Sequence, residues 1–400
     1  MRISSGSVFD TNVSMLNQQQ TSLLHTNQQV ASGRRMITSA DDPIASSRVL
    51  QISQADGSNT QFTTNRNAAK SSIGLSEAIL QSVTTLIQDA KTMAVQAGNG
   101  IMSPADLKSI GTAMQGRFEE LIALANSTDG SGNYLFSGFQ GRSIPFVKTA
   151  AGVQYMGDDG QRKVQVSSSR QMPISDSGAD IFMRVKSGNG KFVTEASPAN
   201  TGSASIGQGA VTNATQLTGT GYKLTFTSPS TFDVTDSNGQ IVSQANRYES
   251  GEAFTLPGMH VSLIGTPDSG DTFTVSPSSN EGLFKTMSDL ISALNVSSPA
   301  GDAATSGLLT SSLSKAMSGL DQGLDRVLTV RAAFGARLNE LDSLQATGED
   351  LGLQFKQTQS TLEDLDFNKA ISDLNRQTIS LQAAQKSFKQ VAELSMFNYM

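Results

Sequence analysis

The sequence predicts an α+β multidomain protein: long, antiparallel, coiled-coil-like helices from both termini form a stem, and a mainly antiparallel β head is inserted between them. Three observations predict it. Apolar residues recur at alternating steps of three and four from the start to about residue 130, and again from about 280 to the end. Between these zones the period falls to two, the spacing of half-buried strands. Helix start and stop signals punctuate the flanks, whereas turn pairs punctuate the middle.

The first helix carries Val13, Leu16, Leu23 and Val30, with Gln20 and Asn27 as polar members of the same seam. Gly33 supplies its stop. Asp42 and Pro43 read as an N-cap and first helical position, opening a second helix that runs through Ala97 to Gly98. Its latter half holds Ile73, Leu80, Val83, Ile87, Ala90, Ala94 and Ala97, broken only by Ser76. Ser103, Pro104 and Asp106 open a third helix with a capping-box arrangement, followed by Leu107, Ile110, Met114, Leu121 and Leu124 on one face.

Strands are expected around Val164 and Val166, Tyr222 to Phe226, Phe232 and Val234, Val261 and Leu263, and Phe273 and Val275. Asp159-Gly160, Asn238-Gly239 and Pro257-Gly258 sit where tight turns are needed, and Asn-Gly is the strongest hairpin signal of the three. A Gly-, Ser- and Thr-rich stretch at 197–221 reads as a divider between a pair of lobes. In the C-terminal zone Leu313, Met317, Leu320, Leu324, Val327, Phe334, Leu338 and Leu341 form a seam interrupted by Arg331 alone. A last helix places Ile371, Leu374, Leu381 and Phe388 at matching spacing, with Thr378, Gln385 and Ser395 at positions normally apolar.

These patterns divide the chain into a terminal helical region (1–45 with 350–400), a helical bundle (46–133 with 281–349) and an inserted β-rich domain (134–280), the last divided near 187–221. Polar residues in the terminal seam leave little burial to offset backbone ordering, about 1 to 2 kcal/mol per residue. The ends should therefore order mainly on meeting neighbours. By periodicity the subunit interface is expected at Val13, Leu16, Leu23, Val30, Ile371, Leu374, Leu381 and Phe388, residues that equally suit an intramolecular seam.

Composition excludes several classes. The 400 residues carry 29 Lys and Arg against 35 Asp and Glu, so the net charge of -6 argues against a nucleic-acid backbone binder. The absence of cysteine removes disulfides, thiolate nucleophiles and thiolate metal sites. Arg2 is followed by polar residues without an apolar core, so no cleaved secretory signal is expected, and no apolar run is long enough for membrane insertion.

Chemistry is sought without result. His25 and His260 are the only histidines, too few for an HExxH zinc site, and each reads as an ordinary helix or strand residue. Gly157-Asp158-Asp159-Gly160 lacks the spaced ligands of a calcium loop and reads as a hairpin turn. Asp41 and Asp42 suit a helix start better than paired acid-base catalysis. No P-loop or nucleophile elbow appears, so no enzyme and no cofactor is expected.

Residues 31–50, ASGRRMITSADDPIASSRVL, resemble the N-terminal block of flagellins and flagellin-like axial proteins. Pro43 after the two aspartates is more similar to the hook–filament junction branch of that superfamily, since flagellins usually continue with Ala and Gly. NYLFSGFQGRSIPF at 133–146 and VQYMGDDGQRKVQVSSSRQMPISDSGADIF at 153–182 resemble the same branch, as does the final LEDLDFNKAISDLNRQTISLQAAQKSFKQVAELSMFNYM. About 187–280 carries no such block.

The resemblance implies a structural protein of the bacterial flagellum, exported through the flagellar type III pathway and located outside the cell at the hook–filament junction. Its implied partners are further copies of itself in a ring, the first hook-associated protein and flagellin. A cytoplasmic flagellar export chaperone would bind the C-terminal helical region, placing Leu374, Leu381, Phe388 and Val391 as its expected contacts. A filament subunit and, from another class, an adhesin or enzyme carried by the central domain are the alternatives.

Overall fold

Among the described residues six α-helices carry the helical periodicity: α1 (Ser5–Ser32), α2 (Pro43–Ala97), α3 (Pro104–Ala125), α4 (Leu283–Leu294), α5 (Ala303–Glu363) and α6 (Phe367–Phe397). They are seen in a computed structural model that describes residues 5–99, 102–217, 219–295 and 303–397, with side chains at 7 and at the described positions from 9 to 390. By its contacts the chain forms two compact units, one of residues 1–64 with 343–400 and one of residues 65–342.

Local chemistry sets the helix ends. Gly33 takes φ +69°, a left-handed conformation that ends α1 at little cost for a residue without Cβ. The Asp42 carboxylate accepts the Ala45 amide at 3.0 Å, and Pro43 starts α2 where no amide donor is required. At α3 the Ser103 hydroxyl accepts the Asp106 amide while Asp106 accepts the Ser103 amide, both at 3.2 Å, which closes a capping box.

In the larger unit the α2 seam from Ile73 to Ala94 is buried, and on α5 Leu313, Leu320, Val327, Phe334 and Leu341 are buried in the expected phase. Two polar exceptions are satisfied. Ser76 donates to the Ser72 carbonyl at 3.0 Å within its own helix. Arg331 donates twice to Glu77 Oε1 of α2, at 3.0 and 2.8 Å, so the one charge on the α5 seam is half-buried as a doubly hydrogen-bonded ion pair. Phe118 of α3 and Phe284 of α4 meet edge-on at 6.4 Å, and Phe146 joins Phe284 at 5.1 Å and Phe182 at 5.4 Å.

Against these helices lie two hairpins, β1 (Phe146–Thr149) with β2 (Gly152–Tyr155) and β3 (Lys163–Ser167) with β4 (Arg170–Pro173), then a single π-helical turn at Ala179–Met183. β5 (Val185–Lys186) is the first strand of the connection into the remaining β structure, whose strands are β6 (Phe192–Ala196), β7 (Ser205–Ile206), β8 (Ala210–Val211), β9 (Tyr222–Ser228), β10 (Thr231–Asp236), β11 (Ile241–Arg247), β12 (Ala253–Leu256), β13 (Met259–Ile264) and β14 (Thr272–Pro277). β15 (Asn280–Glu281) leads out and pairs with β5.

The strands form an antiparallel sheet β11-β10-β9-β14-β6 and a second sheet in which β13 pairs with β12, β7 and β8. One core joins them. It includes Tyr222, Leu224 and Phe226 at alternating positions of β9, Phe232 and Val234 of β10, Val261 and Leu263 of β13, and Phe273 and Val275 of β14.

Two turn expectations hold in place and a third is corrected. Asn238-Gly239 links β10 to β11, and Pro257-Gly258 links β12 to β13. Asp159-Gly160 is not a hairpin turn, because β2 and β3 pair with other strands. The loop between them instead wraps the Asp158 carboxylate, which accepts the amides of Phe139 and Gly160. Nor does the 197–221 stretch divide the β region into separate lobes: β7 and β8 lie within it, and Ala204 and Ile206 enter the same core as Phe192 and Tyr222.

Candidate functional site

In the smaller unit α1 and α6 run antiparallel. The Phe9 and Phe388 rings meet at 5.1 Å, the Gln19 amide nitrogen donates to the Ser380 hydroxyl at 3.4 Å, and the backbones of Arg34 and Asp364 pair as an isolated antiparallel β-bridge. Every pairing joins an early residue to a late one, so α1 and α6 lie side by side.

Leu16, Gln19, Leu23, Thr26 and Val30 turn inward on α1, facing Ala370, Leu374, Gln377, Leu381, Ala384 and Phe388 on α6. The polar seam members are thus corrected by one residue. Gln20 and Asn27 are exposed and Gln19 and Thr26 replace them, while Thr378 and Gln385 are exposed and Gln377 and Ala384 replace them. A helix advances 3.6 residues per turn, so a seam with few apolar anchors fits two neighbouring phases almost equally well.

Of the expected interface residues, Val13, Leu16, Leu23, Val30, Leu374, Leu381 and Phe388 are half-buried, partly covered by their own chain. Ile371 is turned away from the seam and is 47% exposed. The side chains of Val391, and of Ser395 from the expected polar set, lie outside those described.

The seam is weakly held. Gln19 Oε1 and Gln377 Oε1 are buried and find no hydrogen-bond partner among the described residues. Each such oxygen costs about 1 to 3 kcal/mol of lost hydration. Thr26 escapes this cost by donating to the Ser22 carbonyl at 3.1 Å. Outside the seam Met15, Leu24, Ile44, Leu50, Leu353 and Ile379 expose apolar side chains, and half of the exposed large apolar residues described belong to this unit, which holds less than a third of the chain.

Where α1 ends, the loop at 33–42 is fastened to the break between α5 and α6. The Arg35 amide donates to the Glu363 carbonyl at 2.7 Å, and the Leu365 amide donates to the Gly33 carbonyl at 3.0 Å. The Arg35 guanidinium adds two bonds to the Leu362 carbonyl and lies 3.4 Å from Asp42. Asp41 closes the loop on itself, accepting the amides of Thr38 at 2.9 Å and Ile37 at 2.8 Å and facing His25 at 3.1 Å. Those amides, Thr38 foremost, hold its carboxyl well below the usual range, at about 2.

His25 therefore serves the Asp41 loop, and His260 Nδ1 lies 3.1 Å from the Thr255 hydroxyl across a strand pair. No group of three metal-ligating side chains occurs among the described residues, and no described helix is long and apolar enough to cross a membrane. The Arg35 fastening was missed by sequence reasoning, although the Ser-Gly-Arg-Arg run holds its signal: a cation just past a helix stop, within reach of carbonyls.

The fold and this site define an assembly protein, with paired terminal helices, exposed apolar flanks and a β-rich insertion. Residues 3–141 match the bacterial flagellin N-terminal helical region. The chain is 29% identical over 397 residues to flagellar hook-associated protein 3 of Salmonella typhimurium, covering 99% of each. Among solved structures it is similar to the flagellar junction protein FlgL of Legionella pneumophila (30% identity, TM-score 0.72, 79% of this chain and 100% of that one). It is also similar to FlgL of Xanthomonas campestris (30% identity, TM-score 0.72, 77% and 99%). The chain belongs to the FlgL family of flagellar hook-associated proteins.

Proposed function

We propose that this chain is a structural subunit of the bacterial flagellum, a hook-associated protein that joins the hook to the flagellin filament. Like copies form a ring above the first hook-associated protein and beneath flagellin. The mechanism is packing, and no residue is assigned a reaction or a cofactor. The α1–α6 pair carries this reading: both chain ends share one seam with two unpaired buried amide oxygens, and apolar side chains remain exposed around it. Such a pair gains stability when neighbours cover it.

The subunit contacts use Val13, Leu16, Leu23, Val30, Leu374, Leu381 and Phe388, with Ile371 on the outer face of the pair. Before assembly a cytoplasmic export chaperone takes the amphipathic C-terminal helix, through Leu374, Leu381, Phe388 and Val391, as a helix in an apolar groove. The protein then works outside the cell. Electron microscopy of cells lacking the gene tests this reading. Bare hooks with monomeric flagellin shed into the medium are expected. Normal filaments would overturn it, and loss of all exported filament protein would favour a filament subunit instead.

A further inference from the structure

Phe139 leaves 67% of its surface in solvent, yet its loop is built to hold it there. Its amide donates to Asp158 Oδ1 at 2.9 Å, and the same oxygen accepts the Gly160 amide at 2.7 Å. The Asp158 amide in turn donates to the Ser137 carbonyl at 3.2 Å, and the Tyr155 hydroxyl lies 2.9 Å from the carbonyls of both Phe136 and Asp158. Gly138 takes φ +73°, and a Cβ on it would overlap Asp158; a Cβ on Gly160 would overlap the Phe139 ring. An exposed aromatic ring fixed in place gives up little entropy when a partner covers it, the property of an interface anchor.

The surroundings say what covers it. Beside Phe139 is a shallow hollow lined by Asp159, Asp180 and Lys163, and Arg184 bridges the two carboxylates at 2.5 Å each. Asp158, next to Asp159 in the loop, adds a third carboxylate with no ion pair among the described residues, which leaves an acidic excess. Further along the same loop, in the turn closed by the Ser143 amide on the Gln140 carbonyl, Arg142 is exposed and has no ion pair among the described residues. Ile144 and Met156 are exposed apolar side chains on the flanking chain, drawn together by the Met156 amide donating to the Pro145 carbonyl at 2.7 Å. One surface thus carries an unpaired cation, an acidic excess and an apolar anchor, so it complements a second copy of itself set head to tail.

We propose that the Phe139 loop is a contact between neighbouring copies of this chain, with Arg142 of one opposite Asp158 and Asp159 of the next and Phe139 buried between them. The proposal rests on the reading that like copies form a ring, and it adds a contact outside the terminal helices. The chain has no cysteine, so introduced ones are unique. Full-length Arg142→Cys and Asp159→Cys chains are co-expressed in flagellated cells, and isolated flagella are treated with a short bismaleimide. A product of twice the chain mass is expected only when both variants are present, falling about tenfold or more when Phe139→Ser is added to both. The Phe139→Ser chain should melt like the parent, because its ring is exposed. Failure to cross-link with the protein present in the flagella, or an adduct with a different protein, overturns the proposal alone. Absence of the protein from the flagella overturns the ring reading as well.

Discussion

The Arg35 guanidinium reaches across 327 positions of sequence to donate twice to the Leu362 carbonyl, at 3.2 and 2.8 Å, fastening the loop after α1 to the last turn of α5. Arg35→Ala should weaken this attachment by about 1 kcal/mol, a charged hydrogen bond discounted for a half-exposed side chain. Arg35→Lys should restore only some of it, because an ammonium lacks the planar fork. Amide hydrogen exchange at Leu365 and Arg35 reads the effect, and unchanged protection in the alanine variant would refute it.

Asp41 makes the same loop sensitive to acid. Its carboxyl is depressed to about 2. The clamp on Thr38 and Ile37 is therefore fully present above the unfolded value of about 3.9 and is lost as pH falls through about 2. Proton exchange at the Ile37 and Thr38 amides should accelerate across that window after correction for the intrinsic rate. In Asp41→Asn the acid-dependent step should vanish.

Replacing the buried amides of the terminal seam should stabilise the isolated chain. Gln19→Leu with Gln377→Leu removes two unpaired oxygens and adds apolar burial, for a gain of about 1 to 3 kcal/mol. Slower proteolysis of α1 and α6 is the readout. A loss of stability would mean that these oxygens are satisfied in solution.

Much of this architecture was legible in the sequence, for stated physical reasons. Asp42-Pro43, Gly33 and the Ser103 box mark helix ends because capping and left-handed backbone restrict which residues fit. The α2 and α5 seams were readable because each has many large apolar anchors. The α1–α6 phase was not, because Gln and Thr occupy its inward positions and leave hydrophobicity nearly silent. Nor could the role of Asp158 be read, since its partner Phe139 lies 19 residues away on a separate loop.

Glycine at 138 should be irreplaceable where glycine at 132 is not. Both have positive φ, but a Cβ on Gly132 meets open space, whereas one on Gly138 meets Asp158. Gly132→Ala should cost about 1 to 2 kcal/mol from the backbone alone. Gly138→Ala should cost clearly more, read as a lower urea midpoint. Equal midpoints would mean that the Asp158 loop yields.

The β-sandwich should be separable from the helices. Phe192 and Pro277, the ends of its entering and leaving strands, are register partners, and the Ser278 amide donates to the Lys191 carbonyl at 2.9 Å. Joining Lys191 to Ser278 through Asn-Gly should leave a chain whose helices still fold, at a cost of about 1 to 2 kcal/mol for lost contacts such as the Ile206 amide on the Ser311 hydroxyl. Far-ultraviolet circular dichroism and thermal melting decide it. Collapse of the helical signal would show that the sandwich is structurally required.

The antiparallel pairing of α1 with α6 also fixes how the protein responds to pulling. With Phe9 against Phe388, the start of α1 and the latter part of α6 sit at the same extremity of the pair. Tension that draws one end away from the other peels the helices apart layer by layer, as a zipper opens, rather than shearing the whole seam at once. Each layer carries few contacts, and two of the buried amides gain hydration as they separate. The α1–α6 pair is thus mechanically soft toward tension that separates Phe9 from Phe388, and it can close again afterwards in the reverse order.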